Sequence, residues 1–473
     1  MRSTKQVVTQ FCFYDRTGIQ KMLEKQAAKG WMLESIGQFT WKYRRTEPKK
    51  LHFAVTYYPK ASMFDPYPTV GEELYQEFVA HSGWQFVASN AQLQIFCTEA
   101  EDPVPIETDP VVELENIHKA VKKSFLPGYF LMLFCALLNL GLIAWRLHEN
   151  FTGTLAHNAN LFTIFCWISL AVMEIREIGA YYLWRRKALK AAALDGSFVE
   201  TKNRNNALWI MLAVILGAYI LMLASLSARM VSVALITIGM MAVAVTLILL
   251  FTKWMKKTGF SREDNRAFTI VATVFVSIAV TFLSTVIVMS VMDKLPDDHV
   301  KDTYEMGGIT VTRYGDDVPL TVTELTGEDM ADYSTYKNVE SSILIDRLVA
   351  NQHPDFVTGS GGSTLRYVVV DVKFAPLFDA CLKEYLNMYH DQKIIDIFGD
   401  EYYRDFHPTD PSAWGADRAW QLYSKEEARP EYLLVYGNRI VNFDFSEEPT
   451  SYQMELVARI LGNEQKFENN KNK

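Results

Sequence analysis

Five long apolar segments fill residues 125–147, 161–184, 207–227, 230–254 and 268–292, and no water-soluble fold would leave so much hydrocarbon together. A helix needs about 20 mainly apolar residues to cross about 30 Å of hydrocarbon, and each segment is long enough. In lipid every backbone amide must find its partner within the segment, so each reads as a transmembrane helix. The predicted fold is therefore an all-α membrane bundle of five helices over residues 124–292. It is flanked by an N-terminal α+β domain (residues 1–98) and a C-terminal α+β domain (293–462), with a linker and juxtamembrane helix at 99–123 and a disordered tail at 463–473.

Charge gives the expected threading. Lys119, Lys122 and Lys123 precede the first segment, whereas the loop of residues 148–160 has no Lys or Arg. Arg185, Arg186, Lys187, Lys190, Lys202 and Arg204 follow the second segment, and Lys253 at the end of the fourth is followed by Lys256, Lys257, Arg262 and Arg266 before the fifth. The positive-inside rule then predicts a cytoplasmic N-terminus and an extracytoplasmic C-terminal domain. An odd number of spans gives the same answer. Residues 293–473 hold 18 Lys+Arg against 33 Asp+Glu within a formal net charge of -8, so the remainder is net basic. Nowhere do basic residues gather as a nucleic-acid surface requires. The N-terminus has no apolar core of signal-peptide length, which leaves the first segment as the insertion signal. The five cysteines form no CxxC pair, so neither a zinc ribbon nor a thioredoxin motif is present.

Residues 6–14 read as a strand and 17–29 as a helix, with Ile19, Met22, Leu23 and Ala27 at helical spacing and Gly30 as its stop. Phe39, Trp41 and Tyr43, then Leu51, Phe53, Val55 and Tyr57, alternate as strands do. A second helix at 71–82 ends at Gly83, and short strands follow at 85–88 and 92–97. The stretch AAKGWMLESIGQFTWKY is echoed by VAHSGWQFVASNAQLQIF, an internal repeat of helix end, Gly-Trp, strand, turn, strand. The order β-α-β-β-α-β fits a ferredoxin-like sandwich, with Trp31 and Trp84 as matched anchors between helix and sheet.

These residues, with FCFYD before them, resemble a bacterial domain-of-unknown-function family (type 2812). The resemblance covers about the first quarter of the chain, and its most specific part is AAKGW with the aromatic strands after it. It implies a soluble domain leading into a few membrane helices, a Gram-positive source and a gene beside a PadR-type transcriptional regulator. The family has no established catalytic residues, so the resemblance assigns no site.

Two clusters remain as candidates. Glu174, Arg176 and Glu177 are the ionisable residues at depth in the second segment. Charges there are costly and face a bundle interior or a water cavity. Glu174 and Glu177 share a helix face, while Arg176 points elsewhere and is expected to find its partner on another helix. This trio is either a proton or ion relay, or a structural cluster near the interface with Arg176 snorkelling. In the C-terminal domain, Asp405, His407 and Asp410 of RDFHPTD offer oxygen and nitrogen ligands for a metal, although such a turn more often holds local caps. The loop GSGGS at 359–363 lacks the lysine of a phosphate-binding loop. Elsewhere in this domain the pattern predicts a hairpin of 309–313 with 319–324, a helix at 341–350, a strand at 366–374, helices at 375–389, 410–422 and 451–461, and a hairpin turning at Gly437-Asn438.

Neither a Gly-x-Ser-x-Gly elbow nor a His-Glu-x-x-His helix occurs, and no cofactor motif is found. The sequence points to a non-enzymatic multi-pass membrane protein, an envelope sensor or relay or an accessory subunit of a membrane complex. Its expected partners are the lipid bilayer and a membrane protein or a second copy of itself, with an indirect link to a PadR-type regulator. The alternatives are a membrane-anchored enzyme using Asp405, His407 and Asp410, and a transporter component using Glu174, Arg176 and Glu177.

Overall fold

The computed structural model describes residues 3–8, 14–37, 40–196, 198–201, 213–220, 222, 228–294, 300–306, 308–329, 333–354, 362–390, 394–395 and 401–463. The chain divides into two units, residues 1–139 with 166–292, and residues 140–165 with 293–473. The divisions fall inside two continuous helices, α4 (Leu126–Glu149) and α6 (Asn158–Asp195).

The first unit begins with β1 (Thr4–Val8), α1 (Arg16–Ala27), β2 (Trp31–Ile36), β3 (Thr40–Arg45), β4 (His52–Tyr57), α2 (Val70–His81), β5 (Gln85–Asn90) and β6 (Leu93–Thr98). Asp15 caps α1 by accepting from the Gly18 N–H, and Gly30 ends it at φ +75, where a Cβ would sit 2.7 Å from the Thr46 carbonyl oxygen. A capping box of Thr69 and Glu72 starts α2.

The repeat is real, and it corrects the ferredoxin-like expectation. Each repeat is a βαββ unit with its own antiparallel sheet, in the orders β1-β3-β2 and β4-β6-β5. The repeats correspond at an offset of 53 positions: Gly30 and Gly83 have positive φ, and each register shift lies just after the Gly-Trp, at Leu33/Ser35 and at Phe86/Ala88. The β-α-β-β-α-β order has four strands where this domain has six, and each repeat pairs within itself. Helix α1 packs on β4 as well as β2, so one core joins both repeats. The tryptophans diverge. Trp84 is buried and donates to the Val104 carbonyl at 2.9 Å, whereas Trp31 is half-buried under Lys5 Nζ, 4.3 Å from its ring centroid.

Helix α3 (Pro110–Ser124) follows, capped by Asp109 with proline in its first turn. Helices α4 and α6, α7 (Ala228–Lys257) and α8 (Arg262–Lys294) contain four of the five predicted segments. Among the described residues three helices are long and apolar enough to cross a membrane: Leu126–Glu149, Val231–Met255 and Arg262–Ser290. The second segment is helical within α6, but its charges set it apart. Of the third, residues 213–220 and 222 are helical and the others lie outside the described residues.

In the second unit, α5 (Phe151–Leu155) belongs with the C-terminal domain. There β7 (Val300–Met306) pairs with β8 (Ile309–Tyr314), and α9 (Val322–Thr326) follows. Next come β9 (Tyr333–Ser341), β10 (Ile345–Pro354), β11 (Leu365–Val372), α10 (Phe378–Leu386), β12 (Ile394–Ile395), β13 (Glu401–Tyr402), β14 (Arg404–Thr409), β15 (Arg418–Ser424), β16 (Glu427–Tyr436), β17 (Arg439–Phe445) and α11 (Ser451–Val457). Seven strands form one antiparallel sheet in the order β14-β15-β16-β17-β11-β10-β9.

Both faces of this sheet are covered. Tyr367, Val369, Leu434, Val441 and Phe443 face one core with Trp414 and α11, while Val368, Val370, Leu433, Val435 and Ile440 face another with α10 and α5. Burial on both sides explains two misreadings, and a capping box explains a third. Residues 341–350 and 410–422, expected as helices, run into β10 and β15, because strands that bury residues on both faces, with polar ones among them, lose their alternation. Residues 319–324, expected as a strand, open α9 through a Thr321–Glu324 capping box, a T-x-x-E signature present in the sequence. The strand at 366–374 and the Gly437-Asn438 hairpin stand as read, and residues 375–389 hold a 3-10 turn, α10 and the turn after it. Of GSGGS and the tail, residues 359–361 and 464–473 lie outside the described residues.

Candidate functional site

In the first unit the C-terminal half of α6 is built into the tandem-repeat domain. Tyr181, Trp184, Ala188 and Ala192 recur every three or four residues and join the core of Ile19, Leu23, Phe53 and Ile95, with Leu114, Ile117 and Val121 of α3. Tyr14 lies 4.9 Å from the Trp184 ring and 5.2 Å from Tyr181, and the Tyr181 hydroxyl meets His118 Nδ1 at 2.7 Å. The chain then turns back along this domain. The Trp184 indole donates to the Val199 carbonyl at 3.3 Å, Thr201 meets Thr17 at 2.9 Å and bonds Asp15, and the Arg16 guanidinium lies 3.8 Å over Phe198 while paired with Glu113.

A second attachment joins the loop before α2 to the start of α8. Arg262 holds Asp65 with two nitrogens at 2.5 and 2.8 Å and donates to the Lys60 carbonyl at 3.0 Å. Asn265 donates to the Phe64 carbonyl at 3.0 Å. A bidentate Arg–carboxylate pair fixes orientation as well as distance.

The charged trio of α6 borders this core. Glu177 lines a small cavity, with room for a water-sized group, together with Tyr14, Val121, Phe125, Leu126, Tyr129, Ile178 and Tyr181. Glu174 is only 3% exposed, and its Oε2 has no hydrogen-bond partner among the described residues. Arg176 lies 3.8 Å from the neighbouring Glu177 carboxylate and remains partly exposed. So the structure places two carboxylates on a helix face that runs into the aromatic core, with the arginine beside them.

The second unit holds a polar counterpart. Both Glu384 oxygens accept from the start of α5, at 2.6 Å from the Phe151 N–H and 2.8 Å from the Thr152 N–H. Next along the chain, His157 Nε2 is 3.4 Å from Glu340, which Arg347 also pairs at 3.0 Å. The hydrogen bond to Glu340 holds the His157 pKa above its ordinary value. Burial alone would raise the Glu340 carboxyl, but His157 and Arg347 bring it below the usual carboxylate range. Neither group was singled out in the sequence. Only the pairing of β9 with β10, which sets Glu340 opposite Arg347, brings them together.

The trio Asp405, His407 and Asp410 is not gathered into one site. Asp405 meets His390 Nδ1 at 2.8 Å, the His407 ring packs 4.8 Å from Tyr423, and Asp410 caps a turn by accepting from the Ser412 N–H at 2.9 Å. Among the described residues no three His, Cys, Asp or Glu side chains are grouped to hold a metal ion.

Residues 15–128 match the family described as "Protein of unknown function (DUF2812)", which runs from the cap of α1 to the first turn of α4. No curated protein and no solved structure matches the chain.

Proposed function

We propose that this chain, whose N-terminal domain carries the DUF2812 match, is a non-enzymatic multi-pass membrane protein that relays the state of the cell envelope or serves as an accessory subunit of a membrane complex. In this reading all five apolar segments span the bilayer, with the tandem-repeat domain cytoplasmic and the seven-stranded domain extracytoplasmic. The observation that carries it is the core shared by the tandem-repeat domain and α6. That domain cannot shift without moving Tyr181 and Trp184, and α6 continues as one helix to Asn158, beside the polar contacts of α5. A membrane helix whose end is packed into the core of a folded domain is the kind of element a relay uses. The partner would be another membrane protein, a second copy of the chain, or indirectly a PadR-type regulator.

The test is affinity purification of the tagged full chain from membranes in mild detergent, with mass spectrometry of what remains bound. A stoichiometric membrane protein or regulator is expected. A solitary monomer would remove the accessory and relay readings together.

One observation favours a second reading. The unpartnered oxygen of buried Glu174 suits a group that takes up a proton or cation, as a transporter component would use. Glu174→Gln should then abolish ion-coupled flux in proteoliposomes, and unchanged flux excludes that role.

A further inference from the structure

We propose that the turn between β9 and β10, together with Phe374, is a lipid-contacting wedge by which the seven-stranded domain rests in the bilayer interface. The inference builds on the reading of α4 and α6 as spans.

The argument starts from the residues that bound those spans. Leu147, at the end of the first apolar segment, and Leu161, at the start of the second, pack against one hydrophobic cluster, and Leu344 packs there too. The sheet end bearing Leu344 is thereby held at the level where the helices leave the hydrocarbon. Polar contacts fix the same level. Asn158, the first residue of α6, accepts from the Ile343 N–H at 3.2 Å and donates to the Ser341 carbonyl at 3.4 Å. Asn158 precedes Leu161 by three residues, a rise of about 4.5 Å along the helix. The Lys373 N–H donates to the Leu344 carbonyl at 2.9 Å, which brings Phe374 to the same edge.

At that edge the apolar side chains are uncovered. Ile343 is 75% exposed and Phe374 51%. The nearby end of α4 presents Trp145, 70% exposed, the residue type that collects at membrane interfaces. Apolar groups at this depth enter the boundary between headgroups and acyl chains, where burial releases water from their surface. The occupant that continuity with the apolar ends of α4 and α6 selects is lipid.

The full chain, with its native cysteines replaced by alanine or serine, would carry a nitroxide on Ile343→Cys in phosphatidylcholine vesicles. Collision with oxygen, which concentrates in lipid, is compared with collision with a water-soluble nickel chelate. Leu138→Cys, exposed in the middle of α4, reports the span, and Tyr452→Cys, exposed on α11, reports water. The expected ratio of oxygen to nickel collisions is above unity at 343 and 138 and below unity at 452. A ratio at 343 equal to that at 452 overturns the wedge while leaving the span intact. Protection from both reagents at 343 also overturns it, because a protein surface would then be the occupant. A water-like ratio at 138 overturns the span reading and the wedge with it.

Discussion

The two folded domains hold their adjoining helices by opposite chemistry. The tandem-repeat domain takes α6 into its hydrophobic core through Tyr181, Trp184, Ala188 and Ala192. The seven-stranded domain also packs Leu155 and Ala156 against its sheet, but it adds ionisable contacts, Glu384 at the start of α5 and the His157–Glu340–Arg347 set after it. Apolar docking scales with area removed from water and is indifferent to pH. A hydrogen-bonded carboxylate–histidine pair titrates, so its strength depends on the solution it faces. The first is mainly apolar and so the more fixed joint, although His118 bonds Tyr181 within it, and the second adds the ionisable set that makes it adjustable.

Trp184→Ala strikes the fixed joint hardest. Truncating a buried tryptophan costs about 3–5 kcal/mol. The expected outcome is a lower unfolding midpoint of the purified protein and faster hydrogen exchange at residues 198–201, with the amides of α5 unchanged. Equal loosening of α5 would break the comparison, because the joints would then not be independent. Glu384→Ala should act on the other side, leaving the Phe151 and Thr152 N–H groups unpaired at about 1–3 kcal/mol. Hydrogen exchange confined to residues 150–156 is the expected readout, and unchanged protection there would show that apolar packing alone holds α5.

Asp65→Asn probes the ion pair among the polar contacts between the tandem-repeat domain and α8. Arg262 is more than a third exposed, so the loss should be about 1 kcal/mol, read as a small fall in unfolding midpoint that vanishes in high salt. The smallest effect concerns pH. Because His157 titrates above its ordinary value when folded, its contribution is complete below about pH 6.5 and is lost as pH rises through the raised value. Glu340, held low, contributes above about pH 4.3 and loses its share as pH falls through the depressed value. Protection factors at residues 155–158, with the intrinsic base-catalysed exchange rate divided out, should therefore be higher at pH 6 than at pH 8, and His157→Gln should erase that difference. A difference that persists in the variant would assign the sensitivity to another group.

Legibility followed the range of the interactions. The helix stop at Gly30, the hairpin at Gly437-Asn438 and the apolar helices were readable because each depends on neighbours in sequence. Strand β2 lacks the alternating aromatics of β3, and only the Gly-Trp repeat marks it in the sequence. Helix α9 has its capping box in plain view, whereas β10 and β15 give no local sign, because each buries residues on both faces and mixes polar ones among them. Glu174 and Glu177 were recognisable as unusual, since charge in an apolar segment is conspicuous. The proximity of Glu177 to Tyr14 and Tyr129 was not, because those residues lie far away in the chain.

The sequence by itself determined that this chain carries long apolar helices between two α+β regions, that the first region is a duplication, and where its two Gly-Trp corners fall. Hydropathy and glycine conformation are properties of short stretches, so a short stretch suffices to read them. Tertiary structure alone decided that each repeat closes its own sheet, that α6 ends inside the tandem-repeat core, and that Glu340 meets both His157 and Arg347. Those outcomes depend on which distant surfaces exclude water together, and that selection is made by the folded chain as a whole.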